Sequence, residues 1–215
     1  MPPELVIFDN DGVLVDSEPL SNSVMATVLT ELGVPTTVEG SMSRFLGRSL
    51  PAVRHIVETE DGITLPIDFE GSYTDRLHDL FTTSLTVVPG MRDVVEAVAG
   101  AGIAYCVASS GGHDKIRLTH ALVGLTDLFA DLTFSADDVA HGKPEPDLFL
   151  HAAASMAVDP AACIVIEDSP AGVEAARRAG MDCIGFAART GTGALHAATL
   201  GVVTAADDIG PILGL

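Results

Sequence analysis

The sequence predicts an α/β fold: a doubly wound, mostly parallel, Rossmann-like sheet with an α-helical domain inserted after its first strand. Three observations lead there. Short apolar runs without polar alternation recur along the chain, as strands buried on both faces require. Helical periods lie between those runs, and the repeating βα order builds a parallel sheet covered by helices. One long stretch, 16–85, carries helical periods and no strand. The expected division is therefore 1–15 with 86–215 as the α/β core and 16–85 as a helical insertion.

The elements follow in order. Leu5-Val6-Ile7-Phe8 is the first strand. In the insertion, Leu20, Val24, Val28 and Leu32 form a stripe four residues apart, closed by Gly33 and Pro35. Helices over 49–57 and 67–81 follow, separated by Asp61-Gly62. Beyond it come a helix over 91–99, a strand over 103–108, a helix over 114–123 and a weaker strand over 132–134. A helix over 147–157, a strand over 163–166, a helix over 171–179 and a strand over 182–186 complete the pattern. Ser169-Pro170 opens the helix over 171–179 and Gly180 closes it.

Composition narrows the function. Apolar residues make up 47% of the 215 and charged residues 19%, a balance that can bury enough surface to offset ordering entropy. Eleven Lys+Arg against 30 Asp+Glu leave a net charge of −19. That acidity repels phosphate backbones and anionic lipids, so neither nucleic acid nor a membrane is an expected partner. The uncharged run from Ala97 to Ala108 is 12 residues, short of the roughly 18 that a span needs. The start, Met1-Pro2-Pro3-Glu4, has no leader pattern. Cys106, Cys163 and Cys183 lack metal-ligand spacing and sit in apolar runs, so buried free thiols, a cytoplasmic location and a monomer are expected.

The informative feature is what stands at the strand ends. The first strand runs into Asp9-Asn10-Asp11-Gly12, the second into Ser109-Ser110-Gly111-Gly112. The third leads through Asp137-Asp138 to Gly142-Lys143-Pro144, and the fourth into Glu167-Asp168-Ser169. Open α/β sheets bind ligands beyond the carboxyl ends of their strands. A parallel sheet would bring together four carboxylates, a hydroxyl and one ammonium. The spacing at Asp9 is not that of an EF-hand, because Leu14 falls where that loop requires glycine. Gly191-Thr192-Gly193 lacks a third glycine and reads as a turn.

Phe8 to Glu18 resembles the first motif of the haloacid dehalogenase superfamily. Val107-Ala108-Ser109, Gly142-Lys143-Pro144-Glu145-Pro146 and Ile166 to Gly172 resemble its other three, in order. The resemblance spans about residues 5–187 and is greatest to the β-phosphoglucomutase and sugar-phosphatase branch, whose helical cap occupies the place of the insertion. It implies Asp9 as nucleophile, forming an aspartyl-phosphate. Asp11, two residues on along an extended segment, would be the acid and base. Ser109, Ser110, Lys143 and Asn10 would contact the phosphate. Asp9, Asp11 through its carbonyl, Asp168 and Glu167 would hold Mg²⁺, which suits hard oxygen ligands. In the cap, Arg48, Arg44, His55 and Glu18 are candidates for the substrate's organic part, with Phe45-Leu46-Gly47-Arg48 resembling the family's cap loop.

The expected activity is hydrolysis of a small phosphorylated metabolite, a sugar phosphate, by a Mg²⁺-dependent phosphatase. Asp11 sets the chain apart from the dehalogenases, which usually lack an acid there. Asn10-Asp11 does not match the Lys-Thr pair of the ion pumps, and 17–85 holds no lysine for phosphonate cleavage. A phosphomutase is the alternative. Against it, the cap histidine and the lysine of that branch align with Ser21 and Gly112. A non-catalytic phosphate-binding regulatory protein is the alternative from another class; it would have no need of Asp11.

Overall fold

A computed structural model describes residues 2–45 and 48–215. Leu46 and Gly47, in the stretch that resembles a cap loop, lie outside the described residues. The chain forms two compact units, residues 17–85 and residues 1–16 with 86–215.

The smaller unit is helical: α1 (Glu18–Glu31), α2 (Val38–Phe45), α3 (Leu50–Ile56) and α4 (Phe69–Ser84). Leu29, Phe45, Val57, Phe69 and Phe81 form the centre of its apolar core. Helix α2 has no counterpart in the sequence reading, because it buries only Ser41 and Phe45 and so shows no apolar period. The helix expected over 67–81 starts two residues later. Ile67 is left 98% exposed, and Phe69 becomes the first residue to face the core.

The larger unit holds a six-stranded sheet of β1 (Leu5–Phe8), β2 (Ala104–Ser109), β3 (Thr133–Ser135), β4 (Cys163–Glu167), β5 (Asp182–Phe186) and β6 (Val202–Val203). All pairings are parallel, in the order β3-β2-β1-β4-β5-β6. The fold class is as the sequence predicts. Leu5 to Phe8 are wholly buried, each side chain contributing roughly 1.5–3 kcal/mol by leaving water. Its helices are α5 (Met91–Gly100), α6 (His113–Val123), α7 (Thr126–Phe129), α8 (Asp147–Ser155), α9 (Pro170–Ala179) and α10 (Ile209–Leu213). The three cysteines are buried free thiols. Among the described residues no helix is long and apolar enough to cross a membrane.

Topology fixes where a ligand can bind. Chain order runs outward from β1 to β2 and β3 on one side, and from β4 to β5 and β6 on the other. The crevice at such a reversal lies beyond the carboxyl ends of the strands. Register puts Phe8 level with Val107 of β2 and Ile166 of β4. Asp9, the first residue past β1, therefore stands level with Ala108 and Glu167 near the carboxyl ends of β2 and β4.

Candidate active site

β1 stops at Phe8 and the chain turns at once. The Asn10 carbonyl accepts from the amides of Leu14 (2.9 Å) and Val15 (3.0 Å), and the Gly12 amide donates to Val15 (2.9 Å). Gly12 takes φ +79°, and a Cβ there would overlap the Asp168 carboxylate. Conformation and clearance both demand glycine. Asp11 thus stands at the mouth of this turn, bridged to Val15.

Lys143 is the hub of the site. Its side chain is 3% exposed, and its ammonium donates to Asp9 Oδ1 (2.6 Å), Glu167 Oε2 (3.1 Å) and the Ala108 carbonyl (3.1 Å). It therefore joins the ends of β1, β2 and β4. Loss of water alone would depress its pKa, but the two carboxylates more than offset this and push it up, so it stays charged. Asp9 is pushed up to about 7, chiefly by burial and then by the Glu167 charge, while Lys143 opposes both. The other Glu167 oxygen, Oε1, accepts from the Ser169 hydroxyl (2.6 Å) and amide (3.2 Å). Ser169 in turn caps α9 by accepting from the Gly172 amide (3.1 Å).

Carboxylate oxygens of Asp9, Glu167 and Asp168 lie within 4.8 Å of one another, a set that could hold a metal ion. Three buried acids at this spacing repel one another, and an all-oxygen donor set suits a hard divalent cation. The Asp11 carboxylate is not in that set; its Oδ1 pairs with Lys115 at 2.8 Å.

Ser109 ends β2 almost fully buried, its hydroxyl accepting from the Gly111 amide (3.0 Å), while Ser110 is exposed. The Asn10 side chain has partners on α6 as well as Asp11, its neighbour in the turn. It is fully buried, pairing through Oδ1 with His120 Nε2 (3.0 Å) and donating through Nδ2 to Thr119 (3.5 Å). The expectation of a single ammonium is corrected, since Lys115 of α6 joins Lys143.

Sequence reasoning missed Lys115, Thr119 and His120 as site residues. The signal available was scarcity: Lys115 and Lys143 are the chain's only lysines. His120 packs at a tilt against Phe129 (ring centroids 5.3 Å apart) and is held neutral, its pKa lowered to about 4 by burial and only partly restored by Asp11. The unfolded chain takes up this proton first. His120 should therefore cost the fold stability as pH falls from about 6.5, the cost levelling off below about pH 4 at roughly 3 kcal/mol. His120→Gln should flatten this part of the stability profile in denaturant titrations between pH 7 and 4; an identical profile would place the titration elsewhere.

The other candidates lie in the smaller unit. Arg44 is paired with Asp61 (2.8 Å) and Glu60 (3.2 Å), so its charge is already matched within this unit. Arg48 is exposed and donates to the Arg44 carbonyl (3.0 Å), with no carboxylate partner among the described residues. His55 is exposed, and Glu18 accepts from the Asn22 side chain (3.1 Å).

A family model for haloacid dehalogenase-like hydrolases matches residues 3–180. The 6-phosphogluconate phosphatase of Escherichia coli is 33% identical over 186 residues, 86% of this chain and 83% of that one. Fructose-1-phosphate phosphatase YqaB of the same organism is 31% identical over 180 residues, 83% of this chain and 94% of that one. A crystal structure of a haloacid dehalogenase-like protein of unknown function from Agrobacterium tumefaciens superposes with a TM-score of 0.88 at 32% identity, covering 98% of this chain and 97% of its own. With the family model matching residues 3–180 and relatives of 32–33% identity aligned over most of its length, the chain belongs to the haloacid dehalogenase-like hydrolases.

Proposed function

We propose that this hydrolase is a Mg²⁺-dependent phosphatase acting on a small phosphorylated metabolite, a sugar phosphate, through an aspartyl-phosphate on Asp9. The observation that carries the reading is the buried ammonium of Lys143 against Asp9 and Glu167 at the reversal of the sheet. The phosphatase relatives support the substrate class.

The chain's own groups account for both steps. An Asp9 oxygen attacks phosphorus while the bond to the ester oxygen breaks, and Asp11 delivers a proton to that oxygen. Asp11 then takes a proton from water as the water attacks phosphorus, the bond to Asp9 breaks and inorganic phosphate leaves. The Ser109 hydroxyl and the Lys143 ammonium meet the charge on the phosphoryl oxygens. Asp9, Asp168 and the Asp11 carbonyl would hold the Mg²⁺, whose charge draws in the phosphoryl group and offsets the acids around it. Glu167, with both oxygens already engaged, supports Lys143 and the ion rather than the substrate.

Residues 16–85 act in this reading as a cap that selects the organic part of the substrate, with Arg48 the candidate contact. The buried free thiols suit a reducing compartment, the cytoplasm. Hydrolysis is favoured over mutation because Ser21 and Gly112 carry no charge and His113 is engaged by Asp138 (2.8 Å).

The test is phosphate release with Mg²⁺ over a panel that includes 6-phosphogluconate and fructose 1-phosphate. It is run beside β-glucose 1-phosphate with a trace of glucose 1,6-bisphosphate, followed by phosphorus NMR. Inorganic phosphate from one or more sugar phosphates is expected. Efficient formation of glucose 6-phosphate would make the protein a mutase, and no turnover of any ester would leave the binding-protein reading.

A further inference from the structure

We propose that Lys115 is a positioning residue, holding the Asp11 carboxyl group in the place from which it serves the ester oxygen and then water. The inference rests on the reading of Asp11 as acid and base, and goes beyond it by assigning that aim to helix α6.

The geometry is that of a two-sided clamp. Lys115 Nζ holds Asp11 Oδ1 at 2.8 Å, while Asn10 Nδ2 approaches Oδ2 at 3.5 Å. Asn10 is itself fixed by Thr119 (3.5 Å) and His120 (3.0 Å). Lys115 and Thr119 are four residues apart on α6 and share one face of it, and His120 is the next residue along the same helix. Both of these restraints on the Asp11 carboxyl group trace back to α6. The way to Asp11 is also cleared: a Cβ on Gly111 would press on Lys115 Cδ at 3.1 Å.

Stability does not explain the pair. The Lys115 side chain is 33% exposed and that of Asp11 is 18%, and ion pairs with that access to water contribute little. Nor does general charge balance: a chain at −19 with two lysines has one lysine on Asp9 and the other on Asp11. A carboxyl group in a turn has a rotatable side chain, and proton transfer demands placement within hydrogen-bond reach of the oxygen it serves.

The experiment compares Lys115→Met, Lys115→Arg, Asp11→Asn and the double variant Asp11→Asn/Lys115→Met, each with an alkyl and an aryl phosphate. An alkyl oxygen leaves only with a proton, whereas an aryl oxygen with a low pKa leaves without one. In Lys115→Met, kcat/KM for the alkyl ester should fall about tenfold or more while that for the aryl ester changes less than about threefold. Hydrolysis of the phosphoenzyme should also slow, giving a burst of the aryl alcohol ahead of steady state. Lys115→Arg should recover most of both losses, Tm should not move, and Lys115→Met should add less than about twofold in the Asp11→Asn background. Equal losses for both esters without a burst, or full additivity in the double variant, would overturn the positioning role. If Asp11→Asn shows the leaving-group dependence and the burst but Lys115→Met shows neither, this inference alone fails. If Asp11→Asn shows neither, the acid-base reading of Asp11 fails instead.

Discussion

Asp9→Asn should lower kcat by about 10⁴-fold or more while leaving the protein folded, because it removes the nucleophile and nothing else of similar weight. The asparagine side chain keeps the volume of the aspartate and retains an oxygen that can accept from Lys143. The amide carries no charge, and burial with Glu167 alongside already works against the charged form of Asp9. The variant should therefore be at least as stable as the parent above pH 7. Steady-state turnover of the best ester from the panel, set beside thermal unfolding, checks both halves. Loss of activity with an unchanged or raised Tm is expected. Near-parental turnover in preparations free of contaminating phosphatase would remove Asp9 from the chemistry.

Lys143→Met should be the most damaging substitution to the fold at this site, and should lower the activity too. Methionine matches much of the lysine stem, so the ring of Phe149, 4.8 Å from the ammonium, keeps a packing partner. What is lost is the cation that bridges Asp9 and Glu167, two side chains 9% and 1% exposed. Removing one partner from a buried charge set costs about 3–5 kcal/mol, because the remaining charges stay desolvated and unpaired. For a chain of this length that is a fall in Tm on the order of 10 °C. Loss of the charge that meets the phosphoryl oxygens should also lower kcat by about 10²–10³-fold. Differential scanning calorimetry and ester turnover measure the two effects separately. A Tm within about two degrees of the parent would show that the carboxylates find another counter-charge.

Much of this was legible in the sequence because it rests on local pattern. The strands at Leu5–Phe8, Cys163–Glu167 and Asp182–Phe186 are continuous apolar runs, and each appears in the sheet where expected. β6 is two half-buried valines and leaves no pattern to read. Helix α2 escapes for a related reason, with polar Ser41 as one of its two buried residues. The residues at the strand ends could be named because parallel strands deliver their carboxyl ends to one edge. Orientation could not. Which partner the Asn10 side chain finds depends on His120, 110 positions away, and whether Asp11 has a cation depends on the pitch of α6. Arg44 is a further case, since its capture by Glu60 and Asp61 requires the path of the chain between α2 and the turn at Gly62.

The central claim, that phosphorus is transferred to Asp9, is tested most directly by trapping the intermediate. Asp11→Asn enzyme is mixed with an aryl phosphate and Mg²⁺, quenched in acid and reduced with borohydride, and its peptides are read by mass spectrometry. Reduction of an aspartyl-phosphate leaves homoserine, so homoserine at position 9, formed in step with release of the aryl alcohol, is the expected result. Aryl alcohol released without any covalent phosphoenzyme, or homoserine at another aspartate, would contradict it.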